Sequence, residues 1–195
     1  MARLMYDGVN AGRLPVTAPL VGGYVDGDYK WSDADWARFP NSIKVRIAVF
    51  AHTNDGHVLD VEPGNATPAQ SVDWVLMRRK AGADPTVYCN QLNPQTGWPA
   101  VRAAFKARGA PAPHYGVAQY DDSAVIPIGA IGKQYYNNAS LGYDLSTVAD
   151  HWPGIDPPQT ATAGGSVISE PEESGMWQHF DLKPDQAEQL QSLPV

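Results

Sequence analysis

Six short runs of β-branched or alternating apolar residues, at 23–26, 44–50, 58–62, 86–90, 114–120 and 130–135, constrain this 195-residue chain more than any other feature. Runs of that length, bounded by turn-forming residues, read as strands. Helix signals stand between several of them. Ser32 with Asp35 three residues on forms a capping box, and Pro40 stops the helix that follows. Thr67-Pro68-Ala69-Gln70 is a second capping box with proline at the first helical position, predicting a helix to about Ala81 with Gly82 as its left-handed cap. Val72, Val75, Leu76 and Arg79 mark one side of that helix, with Arg78, Arg79 and Lys80 in its last turn. Trp98-Pro99 opens a third helix, carrying Val101, Ala104 and Phe105 and ending at Gly109. Only about nine residues separate runs 114–120 and 130–135, too few for a helical crossover. The fold class expected is therefore α/β, an irregular TIM-like (β/α) barrel closed by a few consecutive strands joined as hairpins.

Composition removes several classes of function. Lys plus Arg total 14 against 21 Asp plus Glu, a formal charge of −7, the wrong sign for gripping phosphate backbones, so no nucleic-acid partner is expected. No stretch approaches the ~18 apolar residues of a membrane span. The first residues reach Asp7 before an apolar segment can form, so no signal peptide is expected, and the protein would stay cytoplasmic until released or be incorporated in a virion. Cys89, alone, cannot make an internal disulfide and reads as a small buried hydrophobe. Composition changes near residue 157. Residues 1–156 read as the barrel, and 157–195, with Pro157-Pro158, Gly164-Gly165 and the acidic 170–175, as a linker and extended C-terminal tail. An edge strand at 176–180 and one or two helical turns at 184–190 are the only elements expected there.

The chemistry concentrates in acids. Asp60 and Glu62 stand two apart on one strand, so both side chains share a face about 6.6 Å apart along the backbone. Pro63-Gly64 follows at once, which puts them at the strand end, where barrel enzymes carry their reacting groups. Two carboxyls in one site drive their pKa values apart, as glycosidic cleavage requires of its acid and its ionised partner. Asp26 ends the first run and would reach the same mouth, and Asp144, after the last strand, is the fourth acid. Tyr88, Tyr120 and Tyr135 lie near strand ends where a ring could stack on a pyranose, and Asn90 and Gln119 could bond sugar hydroxyls; for each, a place in the core is the competing reading. His52 and His57 flank a loop beside Asp60, a spacing common by chance, and no metal or cofactor is expected.

The run Val58-Leu-Asp-Val-Glu-Pro-Gly64 resembles the Asp-x-Glu strand of the family 25 glycoside hydrolases, lysozymes that cut the peptidoglycan glycan chain. Further segments resemble that family in the same order: Pro85-Thr-Val-Tyr-Cys-Asn90, Tyr115-Gly-Val-Ala-Gln-Tyr-Asp121, and Gly132-Lys-Gln-Tyr135 through Tyr143-Asp-Leu145. The resemblance spans roughly residues 20 to 150, and the glycoside-hydrolase-like domains of actinobacteria and their phages are equally similar. It implies Glu62 as general acid, Asp60 as its partner or the stabiliser of the oxocarbenium-like state, Asp26 and Asp144 as flanking carboxylates, and Gln134 among the substrate-binding residues. It also implies five βα units with three further strands. This chain departs from the family in having Gly23-Tyr-Val-Asp-Gly27 for the opening Gly-Ile-Asp-Val-Ser, Lys133 for an aromatic residue, and only residues 53–57 where a βα unit stands, so that unit is missing or rebuilt from the N-terminal segment. The function expected is hydrolysis of peptidoglycan or another cell-wall glycan. The alternative is an inactive barrel serving as a phage virion or cell-surface structural or glycan-binding module, attached to assembly subunits through residues 157–195.

Overall fold

The computed structural model describes residues 2–158. The tail, with the elements expected at 176–180 and 184–190, lies outside the described residues apart from Pro157 and Pro158. Eight strands close into one barrel in strict sequence order: β1 (Arg3–Asp7), β2 (Leu20–Tyr24), β3 (Ile43–Ala48), β4 (Val58–Val61), β5 (Thr86–Asn90), β6 (His114–Ala118), β7 (Gly132–Asn138) and β8 (Tyr143–Val148). β1 to β7 pair in parallel, and β8 runs antiparallel to both β7 and β1. Three α-helices accompany them: α1 (Asp33–Ala37), α2 (Pro68–Lys80) and α3 (Trp98–Ala107).

Two expectations are corrected here. The strand pair 114–120 and 130–135 is no hairpin, because β6 and β7 are parallel and joined by coil from 119 to 131; β6 ends two residues before its apolar run does and β7 starts two residues into its own, which leaves just enough chain for a crossover. The barrel also begins earlier than expected. β1 comes from the N-terminal segment, so the unit absent between β3 and β4 is made up there and the sheet closes without a gap.

Local chemistry fixes the helices where the sequence predicts them. Both capping boxes form, Ser32 with Asp35 and Thr67 with Gln70, and Gly82 and Gly109 take φ of +83° and +59° just beyond α2 and α3. α2 buries Val72, Trp74 and Val75 but turns Leu76 to solvent, so its buried stripe is rotated from the expected line by the indole of Trp74, which donates to the Thr53 carbonyl at 2.9 Å. With Val101 and Phe105 of α3, these residues cover Leu59, Val61, Val87 and Cys89 on the outer face of β4 and β5. Among the described residues no helix is long and apolar enough to cross a membrane.

The inner face is a second apolar layer of Met5, Leu20, Val45, Ile47, Val58 and Val148, closed at one end by Trp152. Trp152 donates its indole N–H to Thr86 Oγ1 at 2.8 Å and its backbone N–H to Asp156 at 2.6 Å, and Asp156 takes a two-pronged ion pair from Arg3. Among the described residues that end is a floor, and the cavity faces the opposite end, at the carboxyl ends of the parallel strands.

β2 shows how tightly both layers are fitted. A Cβ on Gly22, facing inward, would lie 2.7 Å from Asp7 Cβ, and one on Gly23, facing outward, 2.4 Å from the Trp31 ring. Trp31 cannot retreat cheaply, since its indole N–H bonds the Gly8 carbonyl at 3.2 Å and its ring packs on Trp36 and Phe39. Gly23→Ala is therefore expected to destabilise the barrel by about 1–3 kcal/mol, read as a lower urea midpoint at unchanged slope.

Candidate active site

Four carboxyl groups converge at the open end. Asp7 is the last residue of β1 and stands directly opposite Asp144 in the antiparallel register, a placement that brings Cβ atoms to about 4.5–5.5 Å. Asp60 points inward from β4, and Glu62 follows one step beyond the strand, on the same face. The turn Glu62-Pro63-Gly64-Asn65, closed by the Asn65 N–H on the Glu62 carbonyl at 3.0 Å with Gly64 at φ +95°, is what a Pro-Gly pair favours. It brings Asn65 back over the strand end, where its amide donates to Asp60 Oδ2 at 2.9 Å. All four acids line one cavity of about 100 Å³ that runs down the barrel to Trp152.

Burial raises every one of these acids. Asp7 and Asp60 are each only 6% exposed, and among the described residues the Oδ1 atom of each has no hydrogen-bond partner. Burial pushes the Asp7 carboxyl up to about 8, with Asp144 and Glu62 adding repulsion. Asp60 is pushed well above the carboxylate range by burial and by Glu62, against the pull of the Asn65 amide. Glu62 and Asp144 are half-buried and also raised, Glu62 by burial and then by Asp144, and Asp144 by burial opposed by a hydrogen bond from Gln134. That bond, Gln134 Nε2 to Asp144 Oδ2 at 2.6 Å, continues a chain in which the Tyr88 hydroxyl donates to Gln134 Oε1 at 2.5 Å. The donor favours Asp144 as the ionised member, while the unpartnered oxygens of Asp7 and Asp60 favour their protonated forms. Tyr24 and Tyr88 are driven up by burial among these acids and stay neutral hydroxyls; Tyr120 reaches about 12.

The other sequence-predicted residues scatter. Tyr88, Tyr120 and Gln134 line the cavity. Asp26 does not: it lies on the turn after β2 and accepts the backbone N–H groups of Val49 at 2.7 Å and Phe50 at 3.2 Å and the Thr53 hydroxyl. The place assigned to it is taken by Asp7, which sequence reading passed over; the alternation of Met5 and Asp7 before Gly8 was the available signal. Asp144 sits within β8 rather than after the last strand. Asn90 caps its own loop, accepting from Leu92 and Asn93, both at 2.9 Å. Gln119 lies beside the mouth without lining it, its N–H on the Gln134 carbonyl, and Tyr135 sits at the β-bulge between Gln134 and Tyr136. Tyr24, not among the expected site residues, also lines the cavity. His57 accepts the Arg46 N–H through Nδ1, and His52 stacks on Phe50; among the described residues no group of three or more His, Cys, Asp or Glu is arranged to hold a metal ion. Cys89 is fully buried, and burial pushes its thiol up to about 12.

No known protein family, curated protein or solved structure matches the chain.

The raised Asp7 carboxyl makes stability depend on pH. Between its ordinary value of 3.8 and about 8 the folded state holds a proton that the unfolded state has lost, so the stabilisation is complete below about 4 and drains away as pH rises toward 8. The expected slope from this group is about 1.4 kcal/mol per pH unit. Urea midpoints at pH 5, 6.5 and 8 should fall more steeply for the wild type than for Asp7→Asn, and the variant should be the more stable at pH 8; parallel curves would refute the assignment.

Proposed function

We propose that the protein is a glycoside hydrolase acting on peptidoglycan or another cell-wall glycan, on a shortened (β/α) barrel resembling that of the family 25 lysozymes. The observation that carries this reading is the set of four acids with raised pKa at the one open end of a barrel whose other end is floored. Glycosidic cleavage needs a carboxyl that holds a proton at working pH and a second that is ionised close by. Glu62, on the rim and raised by burial beside Asp144, is the general acid that protonates the leaving oxygen. Asp144, fixed by the Gln134 amide, is the carboxylate that faces the positive charge developing on the sugar ring. This shifts the ionised role away from Asp60, whose burial and unpartnered oxygen favour a proton; with Asp60 and Asp7 protonated, the charge beside Glu62 is that of Asp144. Tyr24, Tyr88 and Tyr120 supply neutral hydroxyls for the substrate.

The cavity volume of about 100 Å³ favours a second reading, an inactive barrel that binds glycan or serves a virion or surface assembly, because a sugar ring must then lie at the mouth rather than deep in the barrel. Reducing-sugar release from purified cell walls separates the two. The wild type should release sugar, with rate falling on both sides of a pH optimum, and Glu62→Gln should lower the rate at least ~100-fold while its melting temperature stays near that of the wild type. Absence of release by a folded wild type would leave only the binding module.

A further inference from the structure

The connection from β3 to β4 contains no helix, yet it is tightly held. Asp26 takes the N–H groups of Val49 and Phe50 and the Thr53 hydroxyl, and the Thr53 carbonyl takes the buried indole of Trp74. These bonds present rather than bury an aromatic surface. Phe50 is 42% exposed and stacks on the exposed His52 with ring centroids 5.4 Å apart and planes 10° apart. The Phe50 backbone N–H on Asp26 holds the ring in place, so its exposed surface is offered to solvent in one position. Beside it lies a shallow hollow of about 320 Å³ whose rim includes Asn65, Gln70 and Asp73. Asn65 belongs to both sites: it borders this hollow, and its amide holds Asp60 at 2.9 Å. The hollow and the acidic mouth therefore meet at one side chain.

We propose that Phe50 and His52 form a sugar-stacking platform, a subsite that holds a pyranose ring of a glycan chain one or more units from the acidic mouth. The proposal rests on the reading of that mouth as a glycan site. Its own argument is scale and chemistry. Two stacked rings bordered by amides suit one sugar, with its flat apolar face on the platform and its hydroxyl or acetamido groups on the rim, whereas a stable protein partner needs a patch of roughly 800 Å² per side. Gln70 has its Oε1 occupied by the Thr67 cap, so what it can offer a sugar is its amide NH₂.

The test is titration of the full-length Glu62→Gln protein, which keeps the ligand intact, with the β-1,4-linked tetramer of N-acetylglucosamine and with the monosaccharide, followed by calorimetry or NMR. Tetramer binding should exceed monosaccharide binding, Phe50→Ala should weaken the tetramer about fivefold to tenfold with an unchanged melting temperature, and Phe50→Trp should restore it. Equal tetramer affinity in Glu62→Gln with and without Phe50→Ala, or no tetramer binding at all, overturns the platform. Sugar release by the wild type decides the hydrolase reading separately: tetramer binding that depends on Phe50 without any hydrolysis would uphold the subsite and remove the enzyme.

Discussion

The antiparallel pairing of β8 between β7 and β1 is the interaction on which the rest depends. Seven parallel strands alone would leave an open sheet with two unsatisfied edges. One reversed strand joins both edges, and because it runs backward its first residues, not its last, lie at the carboxyl ends of the others. Asp144, near the start of β8, is thereby set opposite Asp7, at the end of β1. A parallel closing strand would carry its early residues to the floor beside Trp152 instead, and the acidic pair could not form.

That closure removes the need for a helix between β7 and β8, and the outer-face residues account for where the three α-helices lie. A parallel strand needs a crossover and tends to be covered on both faces, whereas antiparallel strands tolerate water on one side. α2 and α3 cover the outer face of the β4–β5 arc, where Leu59, Val61, Val87 and Cys89 are fully buried. Across β8 and β1 the outward residues Leu4, Tyr6 and Leu145 are only half-buried. Helices appear where the strand sequences are apolar on both faces, and are missing where they are not.

What the sequence reveals divides along the same line. Capping boxes, left-handed glycines and the Asp60/Glu62 alternation are local, and each stands where its residues predict. Tyr88, Tyr120 and Gln134 also reach the cavity. Misread were the features settled by long-range pairing. The five residues of β1 are too short and too polar to announce themselves, and only partners at residues 20–22 and 144–148 make them a strand. Asp26 has the same local look as Asp7, an acid before glycine at the end of an apolar run. What separates them is two residues of register: β2 ends at Tyr24, which points inward, and Asp26 lies past it among the N–H groups of the next loop.

Burying carboxyl groups together is expensive, and the barrel meets the cost unevenly. Asp60 and Asp144 each receive an amide hydrogen bond, while among the described residues Asp7 receives neither a cation nor a donor on Oδ1. Lys133, the buried cation next to Gln134, is committed to Asp121 at 2.6 Å. A purely structural barrel would gain above neutral pH by replacing Asp7 with an apolar residue such as those below it, Met5 and Val45, because a buried carboxyl whose Oδ1 has no partner among the described residues carries a desolvation cost once ionised. Neutralising the cluster with Lys133 would have relieved the same strain but would have pulled every pKa down. Burial without a cation instead raises all four carboxyls above their ordinary values, with the charge of neighbouring acids adding to it at Asp7, Asp60 and Glu62, so the mouth holds its protons more tightly than free acids would.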